Sequence, residues 1–180
     1  MLGNTEGKTK DCPVTKEELA FSEALSLPYI AGFLDGDGCV MLQLVYRHDY
    51  VLGYQIRASV VFYQKAVNAS FLEWLKGKLK FGYTRIRKDD MCEYTIVGVE
   101  PVTEVLKLLS PYLVLKKKQA ELALKVLAQM PEKGKRITQK LLLSLSYEVD
   151  KFADLNYSKR RTNTSKKLIE FLKSHNLLIP

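Results

Sequence analysis

The chain predicts an α+β fold of order α-β-β-α-β-β-α, continued by further helices. Three observations carry that expectation. Apolar residues before position 38 recur at helical spacing, whereas those after it alternate along the chain. The alternation returns over residues 83–97, beyond a second helical stretch. From residue 101 onward the spacing is again helical, broken by a loop at 131–136 and a basic segment at 156–163. At 180 residues the chain is one domain by size, large enough to bury a continuous core.

Each element has a local signature. Residues 1–14 are polar and aperiodic and read as a tail; residues 15–180 form the single domain, with 138–180 as a helical extension. Thr15, with Glu17 and Glu18 just behind it, reads as a capping box for a short helix over 15–25. Ser26 then caps a second helix over 26–37, with Pro28 in its first turn. After Gly38, Val40, Leu42 and Leu44 share one parity, and Ile56, Ala58, Val60 and Phe62 repeat it past a turn at 48–53. This is a long antiparallel hairpin with one apolar face. Phe71, Leu72, Leu75 and Leu79 mark an amphipathic helix ending near Gly82. A second hairpin turns through Lys88, Asp89 and Asp90. Pro101 opens a helix to about residue 109, followed by helices near 116–130, 138–155 and 165–175.

The formal charge of +8 is unevenly spread. Residues 1–26 hold three lysines against five acids, so −2, and the remainder carries +10. Basic clusters at 76–88, 116–136 and 159–173 suit a polyanion, although charge alone leaves a merely soluble basic surface equally open. Cys12, Cys39 and Cys92 lack metal-ligand spacing and are odd in number, which points to a reducing compartment. No apolar run approaches the ~20 residues that span a bilayer, and the N-terminus has neither a signal peptide's apolar core nor a transit peptide's acid-poor composition. The protein is expected inside the cell where it is made, with no membrane partner.

The most informative stretch is Ile30-Ala31-Gly32-Phe33-Leu34-Asp35-Gly36-Asp37-Gly38. Its small residues let two helices approach closely, and it ends on a carboxylate at the negative end of a helix dipole. A positive charge, most simply a metal ion, makes that arrangement tolerable. The nonapeptide resembles the LAGLIDADG signature of homing endonucleases position for position. Ile30 and Phe33 stand for leucines, Leu34 for isoleucine and Gly36 for alanine. The signature occurs once, as in the single-motif branch whose members work as homodimers. The element order also matches that family, in which a four-stranded antiparallel sheet curves into a saddle over the DNA major groove.

The resemblance implies a Mg²⁺-dependent endonuclease that cuts both strands of a long pseudo-palindromic site and leaves 3′ overhangs. Mn²⁺ is expected to substitute, and Ca²⁺ to bind without supporting cleavage. By similarity Asp37 is the metal-binding catalytic carboxylate and the Gly36 carbonyl a second ligand. Gln64 takes the place of a water-orienting glutamine, and Lys116 that of the lysine near the scissile phosphate. Asn68 departs from relatives that often carry an arginine there. Ala31, Gly32, Asp35 and Gly36 are expected at the dimer interface. Asp35 lies two residues before Asp37, about 160° around the helix at ~100° per residue, and reads as structural. An EF-hand reading of the Asp-Gly pairs fails, because Cys39 and Val40 stand where an oxygen ligand and a glycine are needed.

Strand parity names the side chains expected to face bases: Met41, Gln43, Val45, Arg47, Gln55, Arg57, Ser59 and Val61, with Arg85, Arg87, Glu93 and Thr95 from the second hairpin. They mix the guanidinium, amide, carboxylate and apolar groups that major-groove readout uses. Lys117, Lys159, Arg160 and Arg161 are expected to hold phosphates. Double-stranded DNA and a second copy of the chain are the expected partners. An intron maturase, or a DNA-binding regulator without cleavage, is the alternative. The expected compartment is an organelle or a prokaryotic cytoplasm that encodes the host intron.

Overall fold

The computed structural model describes residues 16–156 and 161–177. The expected tail at 1–14, the cap at Thr15, and Lys159 and Arg160 lie outside these residues. The elements are α1 (Lys16–Asp37), β1 (Gly38–Tyr46), β2 (Tyr54–Lys65), a short 3-10 turn (Ala66–Asn68), α2 (Ala69–Leu79), β3 (Tyr83–Ile86) and β4 (Met91–Val97). They continue with α3 (Val99–Leu109), α4 (Lys117–Leu127), α5 (Gln139–Asp150), α6 (Phe152–Leu155) and α7 (Ser165–Ser174). The order matches the expectation from the sequence, with one correction at its start.

The helices expected over 15–25 and 26–37 are a single helix, α1, of 22 residues with Pro28 inside it. An interior proline lacks an N–H donor and costs about 3 kcal/mol. Downstream, Ile30, Ala31 and Leu34 are fully buried. A buried Ile or Leu contributes roughly 1.5–3 kcal/mol each, which offsets the loss and carries the helix through.

The sheet is antiparallel with strand order β1-β2-β4-β3, so β1 and β3 form its edges. Gly38 opposes Phe62 at one end of the long hairpin and Tyr46 opposes Tyr54 at the other. The expected parity holds on the inner face. Val40, Leu42 and Leu44 of β1, Ile56, Ala58, Val60 and Phe62 of β2, and Cys92, Tyr94 and Ile96 of β4 are all buried. Helix α1 lies over β1 and β2, α2 over β3 and β4, and α4 and α5 pack against β1. Helix α7 packs in turn on α5. Among the described residues no helix is long and apolar enough to cross a membrane. The outer face of the sheet exposes Gln43, Arg57 and Arg85, and α1 delivers its last residues to the edge of that face.

Candidate catalytic site and nucleic-acid interface

Helix α1 runs straight into β1, so Asp37 ends the helix and Gly38 begins the strand. The last carbonyls of any helix lack intrahelical partners and carry its negative pole. At this end Lys116 Nζ donates to the Asp35 carbonyl at 2.5 Å. The Asp35 carboxylate is engaged in the opposite direction. It accepts the backbone N–H groups of Val114 at 2.7 Å, Leu115 at 3.1 Å and Lys116 at 2.9 Å. Lys116 is the N-cap of α4, so this carboxylate caps a helix from another element and places a negative charge at its positive pole. The two ends form a reciprocal clamp, with ammonium on the C-terminus of α1 and carboxylate on the N-terminus of α4.

The clamp gives the structural role expected of Asp35 a partner within its own chain, the start of α4. The Asp35 side chain lies inside its own chain, 9% exposed, with its oxygens occupied. Asp35→Ala leaves three amides without their charge-assisted acceptor. A loss of about 3 kcal/mol is expected, because such bonds are worth ~1.5–3 kcal/mol each and water reaches part of this loop. Urea unfolding checks this, and a change below about 0.5 kcal/mol, the range of an ordinary surface substitution, would refute it.

Asp37, unlike Asp35, is exposed. Its carboxylate and the backbone carbonyl of the neighbouring Gly36 are oxygen donors, the kind that a hard divalent cation takes. Among the described residues no three His, Cys, Asp or Glu side chains gather as a metal cage. Gln64 sits two residues past Phe62, which opposes Gly38, so it lies at the same end of the sheet as Asp37. Its Oε1 accepts from Asn68 Nδ2 at 3.0 Å and from the Lys65 N–H at 3.1 Å. The departure at Asn68 thus supplies a neutral donor to Gln64. Cys39, next to this site, has its thiol pKa pushed up by burial, partly countered by the Lys116 charge.

The outer face of the sheet is ordered into rows by its register. Nearest the Asp37 end, Tyr63, Glu93 and Arg85 lie abreast. Next come Cys39, Val61, Thr95 and Tyr83, then Met41, Ser59 and Val97. Gln43 opposes Arg57, and Val45 opposes Gln55, toward the far tip.

A scan against family models matches residues 30–126 to the LAGLIDADG endonuclease family. The chain belongs to that family. It is 34% identical over 153 residues to DNA endonuclease I-CvuI of Chlorella vulgaris, covering 85% of this chain and 93% of the relative. It is 36% identical over 139 residues to DNA endonuclease I-CreI of Chlamydomonas reinhardtii, covering 77% of this chain and 83% of the relative. The crystal structure of I-CvuI with its target in the presence of calcium superposes with a TM-score of 0.82 at 33% identity, covering 88% of this chain and 99% of that one.

Within this LAGLIDADG frame several expected positions are corrected. Ser59, Val61 and Thr95 face outward but are only 3%, 3% and 6% exposed. They are short side chains on the two central strands. Exposure on this face belongs instead to Gln43, Arg57 and Arg85, with Met41, Val45 and Gln55 half-buried. Glu93 is largely covered and holds two arginines, Arg85 at 2.7 Å and Arg87 at 3.9 Å. Arg87 is also paired to Asp89 at 2.8 Å. Arg47 lies just beyond β1, doubly bonded to Asp49 and over the Tyr50 ring. That bonding holds the exposed Asp49 carboxyl down at about 2.

Arg161 does not present its guanidinium as a free phosphate contact. It donates to the Val149 carbonyl at 2.5 Å and the Leu42 carbonyl at 2.8 Å, and lies 3.7 Å from Asp150. Lys117, by contrast, is exposed at the first residue of α4. Ala31 is fully buried in its own core and so leaves the expected interface. Gly32 and Gly36 remain exposed, one helical turn apart on the free side of α1, and a Cβ added at either meets nothing within 4 Å. Tyr63 was missed as an outward residue of the first row, although continuing the parity two residues past Val61 would have found it.

Proposed function

We propose that this LAGLIDADG protein is a site-specific DNA endonuclease that acts as a homodimer and hydrolyses both strands with a divalent metal, Mg²⁺ by preference. The observation that carries the reading is the exposed carboxylate of Asp37 where α1 meets β1, at the edge of the sheet face that exposes Gln43, Arg57 and Arg85. Its relatives I-CvuI and I-CreI are DNA endonucleases, and I-CvuI has been crystallised with its target.

A metal held by Asp37 and the Gly36 carbonyl would supply charge neutralisation at the phosphate and a more acidic water. The chain's own residues supply the remainder. The clamp fixes Lys116 beside the helix end, where its ammonium is placed to offset charge that develops on a phosphate. Gln64 projects from the same sheet end, where it can orient the attacking water. Gly32 and Gly36 let a second α1 approach, which brings two Asp37 carboxylates together. Base reading falls to the exposed rows, Arg85 near the cut and Gln43, Arg57 and Gln55 toward the tip, by the donor and acceptor matches of the major groove. Lys117 and the other free cations add sequence-independent affinity. The host intron is assigned to an organelle or a prokaryotic genome.

Selection from a randomised duplex library, followed by incubation of the enriched duplex with Mg²⁺ or with EDTA, tests this. The expected result is a long pseudo-palindromic site, cut on both strands to leave 3′ overhangs only when Mg²⁺ is present. Enrichment without cutting would move the reading to a binding module such as a maturase.

A further inference from the structure

We infer that Phe171 of α7 is a positioning residue that sets the tip of the β1–β2 hairpin, and through it the recognition of the base pairs farthest from the cut. The inference rests on the reading of the outer sheet face as the DNA-reading surface. It begins with a gap in the sheet. Strand β4 pairs with β2 only from Ser59 to Lys65, so among the described residues the distal half of the long hairpin has no third strand beside it. A two-stranded ribbon by itself is marginal in water. A reading surface, however, must hold its side chains to within about 0.5 Å.

The C-terminal segment supplies the missing support from the inner side. The ring of Phe171 lies edge-on to Tyr46 at 5.8 Å and to Tyr54 at 5.7 Å, the last opposed pair before the turn. His175 stacks on it at 4.0 Å. At the turn itself, Gly53 has φ of +67°, and a Cβ there would fall 2.2 Å from the Phe171 ring. Glycine is therefore required twice, by its backbone conformation and by the ring pressed against it. The turn closes through Arg47 N–H to the Gly53 carbonyl at 2.8 Å and Gly53 N–H to the Tyr50 carbonyl at 2.8 Å. Nearer the middle of β1, Arg161 ties the Leu42 carbonyl to the end of α5. The same segment thus holds the strand at two points, and Val45, Arg47 and Gln55 project from the opposite face.

Distance along the strand translates into distance along a duplex. From Gly38 to Tyr46, eight residue steps at ~3.4 Å span about 27 Å. That is about eight base pairs at 3.4 Å each. The second hairpin lies at the other end, since Met91 opposes Lys65 and the Asp90 carbonyl accepts the Ala66 N–H at 2.7 Å. Phe171 therefore supports outer readers, whereas Arg85 and Glu93 stand on strands it does not touch.

The test compares full-length wild type, Phe171→Leu and Gly53→Ala in binding selection from a randomised duplex library, with thermal unfolding measured in parallel. Leucine keeps an apolar group on α7 but loses the ring edges, and alanine at position 53 disturbs the same contact from the other side. Both variants are expected to lose about 10-fold in preference at the outermost base pairs of each half-site, while pairs nearer the cut stay within about two-fold. A loss spread evenly over the site, or an unchanged outer preference, would overturn the inference even if stability falls. A wild-type protein that enriches no site would instead overturn the DNA-reading assignment itself. If one variant does not fold, the pattern from the other decides.

Discussion

Asp37→Asn is expected to lower Mg²⁺-dependent cleavage by about 10²–10³-fold, the scale for removing one charge-stabilising element from a site. The substitution keeps the size and planar shape of the side chain, so packing does not change. What it removes is the negative charge from which the donor set takes its affinity for a divalent cation. Two further effects have a definite sign. The carboxylate sits at the negative end of α1 and is exposed, so neutralising it relieves an unfavourable dipole contact of about 0.3–1 kcal/mol. The variant should therefore be slightly more stable than wild type in metal-free buffer, and added Mg²⁺ should narrow the gap by stabilising wild type alone. Duplex binding should be retained or mildly improved, because negative charge near phosphates has been lost. Single-turnover cleavage, chemical denaturation with and without Mg²⁺, and filter binding read the three separately. A variant that cuts at the wild-type rate would sink the catalytic assignment, and one that loses stability would sink the dipole argument.

The second large effect is expected from Gly32→Leu. Within one chain the added side chain starts into open space, since a Cβ at the exposed Gly32 has no neighbour within 4 Å. Helix propensity favours it, because glycine in a helix interior costs about 1 kcal/mol relative to the best formers. A loss of function therefore has to come from what approaches this face from outside. With a leucine there, two copies of α1 are held apart, and self-association should weaken by at least 100-fold (about 2.7 kcal/mol). Sedimentation at micromolar protein should change from dimer to monomer, and cleavage should disappear with it because the two Asp37 carboxylates no longer meet. Gly36→Leu tests the same face one turn on. A Gly32→Leu protein that still sediments as a dimer and cuts normally would place the interface elsewhere.

The parts of the fold that follow from period were legible in the chain. Strand parity located the inner face because Val40, Leu42, Leu44, Ile56, Ala58 and Val60 form an unbroken apolar set that alternates with a mixed set of polar and apolar neighbours, and burial of the inner set follows that alternation. The break expected at Ser26 and Pro28 did not occur, because local stop signals carry about the energy of one or two buried side chains and the core beneath α1 outweighs them. The outer face was harder to read. Ser59, Val61 and Thr95 have the right parity, yet they are buried, because parity assigns a side chain to a face and not to a degree of exposure. Site residues whose partners lie far along the chain were least legible. The Asp35 carboxylate meets amides 79 to 81 residues away, and Arg161 meets a carbonyl 119 residues away. Only the sign of a charge can be read in advance at such positions, and a basic residue in a basic segment looks like any other.

The bond from Arg161 to the Leu42 carbonyl also bears on solubility. Strand β1 is nine residues long at the open edge of the sheet, and an unpaired edge of that length invites strand addition by another molecule. A guanidinium docked on the middle of that edge occupies an acceptor an incoming strand would need and sets a fixed cation against it. The opposite edge, β3, is only four residues long and carries the exposed Arg85. Both rims of the sheet thus resist cross-β aggregation, which leaves the molecule free to present the outer sheet face to a duplex.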